Sequence, residues 1–142
     1  MAKRCVFCGI LSGESPASIV FRDELVCAFM DIQPVNPGHL LVVPLVHAER
    51  LAELPPETAG RMLQAAGRLT GALREVGLRC EGVNLFLADG EAAGQEVPHA
   101  HLHVFPRYAG DGFGLRLGPH YHERPPRSEL DEIAARIRRA LK

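Results

Sequence analysis

Three histidines alternate with apolar residues between positions 99 and 105 of the chain. Successive side chains of a β-strand point to opposite faces, so this pattern places His99, His101 and His103 on one face and the apolar residues on the other. The apolar face can enter a core, and the three imidazoles are then presented together to a pocket or to solvent. We therefore predict a strand over residues 99–105 that carries a chemical site.

Two alternatives to a reaction centre are a metal ion held by all three histidines and surface histidines without a function. A strand rises about 3.3 Å per residue, so the Cα atoms of His99 and His103 would lie roughly 13 Å apart. Metal–nitrogen bonds are about 2.0–2.1 Å long, so the spacing disfavours one ion bound by all three. A long glycine-containing loop precedes the strand, at residues 88–98, and favours a functional site over surface histidines.

A pair of adjacent imidazoles suits transfer of a phosphoryl or nucleotidyl group. Neutral imidazole is a nucleophile, and its ordinary pKa of about 6.5 allows one ring to be neutral while its neighbour is protonated. A neutral His101 would attack phosphorus while a cationic His103 stabilises negative charge or helps the leaving group depart. Backbone N–H groups that bind an anion are expected from the preceding segment, Gly94, Gln95, Glu96 and Val97.

Three ordered blocks of the sequence resemble the histidine triad family. The family's motif of three histidines alternating with apolar residues fits residues 99–105, and the resemblance extends through residues 37–44 and 94–98. It covers most of residues 5–107. The resemblance implies a hydrolase or transferase that acts on nucleoside phosphoramidates or dinucleoside polyphosphates through a covalent nucleotidyl-histidine intermediate. The expected ligand is a purine nucleotide or nucleotide conjugate.

The resemblance also implies a role for individual residues. By position in the motif, His101 resembles the nucleophile, with its ring oriented by the backbone carbonyl of His99, and His103 resembles the histidine that contacts phosphate. His39 resembles a fourth, supporting histidine, and Asp31 a residue that contacts ribose. The nucleotide-binding residues implied in this way are Asp31, His39, Gly94, Gln95, Glu96, Val97 and His103.

Cys5 and Cys8 form a C-x2-C pair, which has the spacing of half a tetrahedral zinc site. Two unligated thiols are the alternative. Some histidine triad proteins complete such a site with histidines at the positions of His47 and His99, so the resemblance implies a structural zinc ion held by these four residues. Four protein ligands leave no open position for an activated water, so we expect the chemistry at His101 to require no cofactor.

The elements that position these residues follow from hydrophobic periodicity and chain breakers. Apolar runs at residues 19–21 and 25–30 predict a hairpin, residues 31–38 a loop and residues 39–46 a buried strand. The helix signal begins at Pro56 and ends before Gly77, a strand follows at residues 83–87, and Ser128 would cap an amphipathic terminal helix. The order of elements predicts an α+β fold, with an antiparallel sheet, one long helix and one C-terminal helix.

Glycines inside the long helix suggest two interpretations. Gly60, Gly67 and Gly71 each cost up to about 1 kcal/mol relative to alanine, so they are either tolerated or mark a close backbone approach across a dimer interface. The resemblance implies a homodimer whose sheet continues across the interface. It also implies C-terminal residues that reach toward the partner's site, for which His120, Tyr121 and His122 are candidates.

The whole-chain composition restricts the class of protein. The 142 residues predict one domain over residues 1–142, with 107–142 its least certain part, and the absence of a signal or membrane-spanning stretch predicts a cytoplasmic location. Sixteen basic and 17 acidic residues give a net charge of −1, which argues against long nucleic acid as a partner. A non-catalytic nucleotide sensor or scaffold and a metal-dependent hydrolase are the alternative functions.

Overall fold

A computed structural model describes residues 4–141 of the chain. The described residues divide into two compact units, one ending at Gly112 and the other beginning at Phe113. The first unit contains a five-stranded antiparallel sheet and two α-helices, and the second contains a terminal helix. The α+β class predicted from the sequence is confirmed, while the single-domain interpretation stays a prediction.

Among the described residues, the first unit contains two α-helices and five strands, with the longest connection, residues 87–101, between the last two strands. In chain order they are α1 (Val6–Leu11), β1 (Ile19–Arg22), β2 (Val26–Met30), β3 (Leu40–Pro44), α2 (Pro56–Glu75), β4 (Gly82–Phe86) and β5 (Leu102–Arg107). The strands are arranged in the order β1-β2-β3-β5-β4, and every neighbouring pair is antiparallel. Strand β5 therefore lies between β3 and β4, and β4 forms an edge of the sheet.

Alternation along the strands divides the core between the two faces of the sheet. Val42 and Val104 are fully buried in a cluster that includes Met62 of α2. Val43 and Phe29 belong to a second cluster that includes Phe7 of α1, so α1 covers the other face. Because Leu41 of that second cluster is paired with His103, the histidine side of β5 lies on the α1 face.

Strand β5 begins and ends later than the predicted strand over residues 99–105. The backbone N–H of Ala100 donates to the carbonyl of Ala48 at 2.7 Å, and that of His99 donates to Val97 at 2.8 Å, so both bonds lie outside the β3–β5 ladder. At the other end, Pro106 continues the strand opposite Val83 although proline has no N–H to donate. The alternation itself is retained, since Ala100, Leu102 and Val104 all join the core.

Two helix predictions need correction. Helix α1 directly follows Cys5, whose sulfur accepts a hydrogen bond from the N–H of Cys8, and the sequence analysis did not predict it. Ser128 does not cap the terminal helix α3 (Arg127–Ala140), because the cap residue is Pro126 and Ser128 lies in the first turn. The long helix, by contrast, begins at Pro56 as predicted.

The second unit consists of α3 and the segment before it. Leu130, Ile133 and Ile137 lie at helical spacing on α3 and are all exposed in the single chain. No helix among the described residues has the length and apolar character that crossing a membrane requires.

Candidate functional site

His101 is held by a main-chain contact that leaves one ring nitrogen free. Its Nδ1 atom donates a hydrogen bond of 2.7 Å to the backbone carbonyl of His99. Only one nitrogen of a neutral imidazole carries a proton, so Nε2 of His101 keeps its lone pair. The ring of His101 is buried and lies 4.9 Å from that of His103, between centroids.

A chain of hydrogen bonds fixes the tautomers of His39 and His103. The backbone N–H of Val35 donates to Nδ1 of His39 at 3.0 Å, so the proton of neutral His39 is on Nε2. That Nε2 donates to Nδ1 of His103 at 2.9 Å, with Oδ2 of Asp31 3.5 Å from the same nitrogen. The proton of neutral His103 is therefore on its own Nε2. His103 presents an N–H donor, whereas its neighbour His101 presents a lone pair.

Burial favours the neutral forms of His39 and His103 in the free protein. The pKa of His103 is lowered to about 4, chiefly by burial and to a smaller extent by the adjacent His101 and His39, against an opposing effect of Asp31. Burial also lowers the pKa of His39. At pH 7 His103 is uncharged, so the cationic form considered in the sequence analysis is not the favoured one.

The histidines open into a cavity of about 540 Å³. Ligand pockets usually have volumes of about 300–1,000 Å³, so the cavity has the size for a nucleotide. Its polar lining includes Asp31, His39, His101 and His103. Its apolar lining includes residues of α1, β2 and the following loop, namely Val6, Phe7, Ile10, Phe29 and Ile32. A separate depression of about 610 Å³ borders the loop before the histidines and has no histidine in its lining.

The four residues predicted to bind the nucleotide in the loop before the histidines, 94–97, have two different structural roles. The cavity is lined by three of them, Gly94, Glu96 and Val97. The side chain of Gln95 braces the loop instead, because its Oε1 accepts from the N–H of Gly90 at 2.8 Å and its Nε2 donates to the carbonyls of Glu49 and Val97 at 2.8 and 3.1 Å. The backbone N–H groups of Glu96 and Val97 have no hydrogen-bond partner among the described residues.

Cys5, Cys8, His47 and His99 converge, with their ligand atoms all within 4.8 Å of one another. The Nδ1 atoms of the two histidines are 3.2 Å apart. Nδ1 of His99 lies 3.4 Å from the sulfur of Cys5 and 3.8 Å from that of Cys8, which is 3.5 Å from Nδ1 of His47. Zinc bonds of about 2.0–2.1 Å to nitrogen and about 2.3 Å to sulfur require about 3.3 Å between nitrogens and about 3.6 Å between nitrogen and sulfur in a tetrahedron. The cluster has these dimensions.

Hydrogen bonds behind the ligands distinguish this cluster from a second group of possible ligands. Nε2 of His99 donates to the carbonyl of Pro44 at 2.9 Å, so the lone pair of Nδ1 is directed at the sulfurs. Asp31, His39 and His103 also bring ligand atoms within 4.8 Å of one another. The proton of His39, however, is on the nitrogen that faces the other two residues. The cysteine-containing cluster is therefore the better metal site.

The electrostatics of the cysteine pair also fit a cation. Burial raises the pKa of the Cys8 thiol, and a hydrogen bond with Cys5 and the charge of that neighbour raise it further. Zinc binds cysteine as the thiolate, and the charge of the metal offsets the repulsion between two thiolates. The donor set of two cysteines and two histidines therefore fits zinc.

Residues without a signal in the sequence analysis complete the site. The ring of Phe7 packs edge-on against those of His99 and His101, with centroids 5.8 and 5.1 Å away. The apolar run after Cys5 was the available signal for the short helix that carries Phe7. The N–H of Val35 had no signal, since a backbone contact does not depend on residue type.

A buried clamp ties the loop that carries Asp31 to the end of β5. The side-chain amide of Asn36 donates to the carbonyl of Pro106 and to the carboxylate of Asp111, both at 2.9 Å. Arg107 donates two hydrogen bonds to the same carboxylate, at 2.6 and 2.9 Å. The clamp joins residues distant in the sequence and was not predicted.

The three C-terminal candidates make local contacts within the second unit. His120 pairs with Glu123 at 2.7 Å, and both side chains are exposed. The ring of Tyr121 lies 5.2 Å from that of His122.

Comparison with known protein sequences identifies the family. A family model described as HIT domain matches residues 12–110. A HIT-like protein of Methanocaldococcus jannaschii is 40% identical over 134 residues, which are 94% of this chain and 98% of that protein. The adenosine 5'-monophosphoramidase of Schizosaccharomyces pombe is 32% identical and covers 94% of this chain and 98% of its own. The adenylylsulfatase of Arabidopsis thaliana is 30% identical over 96% of this chain and 69% of its own.

Solved structures share the fold over nearly the whole chain. A HIT family protein from Bacillus anthracis matches with a TM-score of 0.90 and 38% identity, over 100% of both chains. A zinc-bound histidine triad family protein from Mycobacterium smegmatis matches with a TM-score of 0.74 and 40% identity, over 96% of each chain. This chain belongs to the histidine triad, or HIT, family.

Proposed function

We propose that this HIT protein hydrolyses nucleotide conjugates, or transfers their nucleotidyl group, through a covalent intermediate on His101. The hydrogen bond from Nδ1 of His101 to the carbonyl of His99 carries the proposal, because it leaves an unprotonated Nε2 beside a nucleotide-sized cavity. The names of two relatives, a phosphoramidase and an adenylylsulfatase, agree with chemistry at a nucleotide. The substrate classes are nucleoside phosphoramidates and dinucleoside polyphosphates.

The reaction has two halves. Nε2 of His101 attacks the α-phosphorus, a P–N bond forms, and the bond from phosphorus to the leaving group breaks; the leaving group takes the bonding electron pair and gains a proton from solvent. The carbonyl of His99 accepts a hydrogen bond from Nδ1–H of His101 throughout, so it stabilises the positive charge that develops on the imidazole. Water then attacks the phosphorus and releases a proton to solvent, a P–O bond forms, the P–N bond breaks with its electron pair returning to Nε2, and neutral His101 is restored as the nucleotide leaves.

Neutral donors stabilise the phosphate in this mechanism. His103 directs Nε2–H beside the nucleophile, and the backbone N–H groups of Glu96 and Val97 are free of protein acceptors among the described residues. Donors of this kind bind developing negative charge without a basic surface. A phosphate ligand is therefore compatible with the net charge of −1.

His39 and Asp31 serve the site in different ways. His39 is a positioning residue, because it holds His103 in the donor tautomer. Asp31 lines the cavity and accepts the N–H of Gln33 through Oδ1 at 2.8 Å. In the proposed complex its carboxylate contacts the ribose hydroxyls.

A structural zinc ion belongs to the proposal, held by Cys5, Cys8, His47 and His99. Its support is the spacing of the four ligand atoms and the zinc-bound relative from Mycobacterium smegmatis. Bound zinc would cross-link α1 to the segments that carry His47 and His99, and four protein ligands leave no position for substrate or water. No step at His101 uses it.

Trapping the intermediate tests the proposal. Wild-type protein and His101→Ala are mixed with an excess of an AMP phosphoramidate and denatured at neutral pH, because phosphorus–nitrogen bonds to histidine are acid-labile. We expect an AMP-sized mass increase on the wild-type peptide that contains His101 and none on the variant. Turnover should fall by about 10³-fold or more in His101→Ala, as for removal of other enzyme nucleophiles.

A substrate panel separates an enzyme from a binding protein. The panel contains an amine phosphoramidate of AMP and dinucleoside tri- and tetraphosphates, and nucleotide binding is measured by calorimetry in parallel. Binding by the wild-type protein without an adduct or turnover on any member would contradict the enzymatic proposal and indicate a nucleotide sensor.

A further inference from the structure

Cys5 and Cys8 differ in their surroundings from the other two cysteines of the described chain. Cys27 is fully buried in β2, and the thiol of Cys80 donates to the carbonyl of Gly82 at 3.3 Å. Cys5 and Cys8 are both partly exposed, and their sulfur atoms lie within 4.8 Å of each other. The N–H of Cys8 donates to the sulfur of Cys5 at 3.4 Å across the first turn of α1. The two sulfurs therefore face the same histidine, whose Nδ1 lies 3.4 and 3.8 Å from them.

We propose that Cys5 and Cys8 are a site of reversible oxidation, which joins them in an intrachain disulfide when the protein meets a peroxide. C-x2-C pairs span a loop short enough for direct exchange between dithiol and disulfide. Partial exposure lets the oxidant reach the sulfurs, whereas Cys27 is closed to it. A small dithiol reverses the modification.

The oxidation balances with hydrogen peroxide as the two-electron oxidant. One thiolate attacks a peroxide oxygen, an S–O bond forms, the O–O bond breaks, and the departing hydroxide takes a proton to become water. The second thiolate attacks the sulfenic sulfur, an S–S bond forms, the S–O bond breaks, and a second water leaves after protonation. The two sulfurs together lose two electrons, which the peroxide gains.

Oxidation removes both thiolates from the metal cluster. The remaining pair, His47 and His99, is too small a donor set for a structural zinc site, so bound zinc is released. Helix α1 then loses its tie to His99, although its Phe7 packs on both His99 and His101. The carbonyl that orients His101 belongs to the same residue 99. The disulfide therefore loosens the support of the nucleophile and of the α1 wall of the cavity.

The modification itself is tested on full-length protein loaded with one equivalent of zinc. After stepwise addition of hydrogen peroxide, tryptic cleavage after Arg4 and Arg22 isolates residues 5–22, which contain both cysteines. We expect this peptide to lose two hydrogens, to regain them with dithiothreitol, and to do so equally in the control Cys80→Ser. A zinc-sensitive dye should report one zinc released for each disulfide formed.

The outcomes distinguish the disulfide from the proposed function. Sulfinic acid in place of the disulfide, a disulfide between chains, a disulfide that includes Cys80, or retention of zinc by the oxidised chain would each overturn the inference. Cys8→Ser should not form the intrachain bond, and Cys5→Ser serves in its place if that variant does not fold.

An effect of the disulfide on turnover rests on the proposed function, so turnover is measured separately from disulfide formation and zinc release. If His101 is the nucleophile, oxidised protein should lose about tenfold in kcat/KM, in the range for loss of supporting contacts, and recover it on reduction. A disulfide with zinc release but no nucleotidyl adduct in reduced protein would support the modification site and contradict the enzymatic proposal.

Discussion

His39 decides which atom of His103 meets the substrate. Its Nδ1 accepts the N–H of Val35, and its Nε2 donates to His103, so two hydrogen bonds transmit a preference from the main chain to the cavity. An isolated imidazole has two neutral tautomers and would present either a donor or a lone pair. The proposed mechanism uses both kinds of ring, a lone pair at His101 and a donor at His103.

Replacement of His39 should therefore affect the reaction more than the fold. We expect His39→Leu to lower kcat by about 10–100-fold, as for other supporting contacts, with a smaller change in KM. His39→Gln, which offers an N–H near the position of Nε2, should recover part of the loss. Nitrogen-15 NMR should show His103 protonated at Nε2 in the wild type and a mixture in His39→Leu. An unchanged His103 tautomer in the leucine variant would contradict this role.

The buried His103 also makes stability depend on pH. Its pKa is lowered to about 4, whereas an unfolded histidine titrates near 6.5, so between these values the unfolded chain binds more protons. Stability therefore falls as pH falls from about 6.5 to about 4, by on the order of 3 kcal/mol for this residue. Denaturant unfolding at pH 7 and pH 5 should show a smaller loss for His103→Gln than for the wild type. Equal losses would contradict the assignment, because lowered pKa values at His39 and His99 act in both proteins.

At the scale of elements, the turn before β3 depends on one glycine. Gly38 has a φ of +103°, and a Cβ there would lie 2.8 Å from Leu78 and 3.1 Å from Leu73. The positive φ and the lack of space both make any side chain at position 38 energetically costly. This turn immediately precedes His39. The position of the supporting histidine therefore depends on how closely the turn packs against Leu73 of α2.

Two alanine substitutions should have opposite effects. Gly38→Ala should destabilise the fold by about 1–3 kcal/mol, the usual cost of a strained backbone position. Gly67→Ala in α2 should stabilise it by about 0.5–1 kcal/mol, because, apart from the adjacent residues and the nearby backbone of α2 itself, no heavy atom of the described residues lies within 4 Å of the new Cβ. Thermal unfolding measures both. A destabilised Gly67→Ala variant with a weakened dimer would instead indicate a close approach between chains.

Strong periodicity explains which elements were predictable. The alternating residues of β5 and the apolar face of α2 are the residues that pack into the core. The sheet and the long helix could therefore be predicted from residue types. Residue types do not predict where β5 begins, because this depends on a long-range contact: the N–H of Ala100 donates to the carbonyl of Ala48, outside the ladder. Helix α1 has only six residues, too few for a helical period to stand out.

The candidate site was also predictable only in part, because some of its properties depend on side-chain type and others on burial and main-chain contacts. His101, His103 and the C-x2-C pair carry their chemistry in the side chain and in their spacing. Gln95 fits the same motif, yet its side chain braces the loop. The neutrality of His103 and the contact from Val35 arise from burial and from main-chain geometry, which one sequence does not specify.

At the scale of the whole molecule, the two edges of the sheet differ. Strand β1 has an irregular register between Ile19 and Phe21 and ends in Arg22, features that discourage pairing with another chain. Strand β4 has no charged residue, and Leu85 and Phe86 are 46% and 41% exposed. We propose β4 as the edge through which a homodimer continues the sheet.

A charge on each edge tests this proposal. Leu85→Lys should shift the protein toward monomer by at least tenfold in dissociation constant, because it places an ammonium group against the partner's edge. Val20→Lys changes a residue of similar exposure on β1 and should leave the association unchanged. Sedimentation velocity over a range of concentrations measures both. A dimer weakened by the second variant alone would assign the interface to β1.

Three of the contacts that orient the histidines end on main-chain atoms, namely the carbonyl of His99, the carbonyl of Pro44 and the N–H of Val35. An alanine scan removes side chains but leaves these three main-chain groups in place. It would therefore show that the histidines matter and would not show that the main-chain groups orient them. Replacement of a single peptide unit by an ester is the change that would expose each contact. For the same reason, grafting the histidines onto the strand of another scaffold would copy their spacing but not their protonation, unless the surrounding backbone were copied as well.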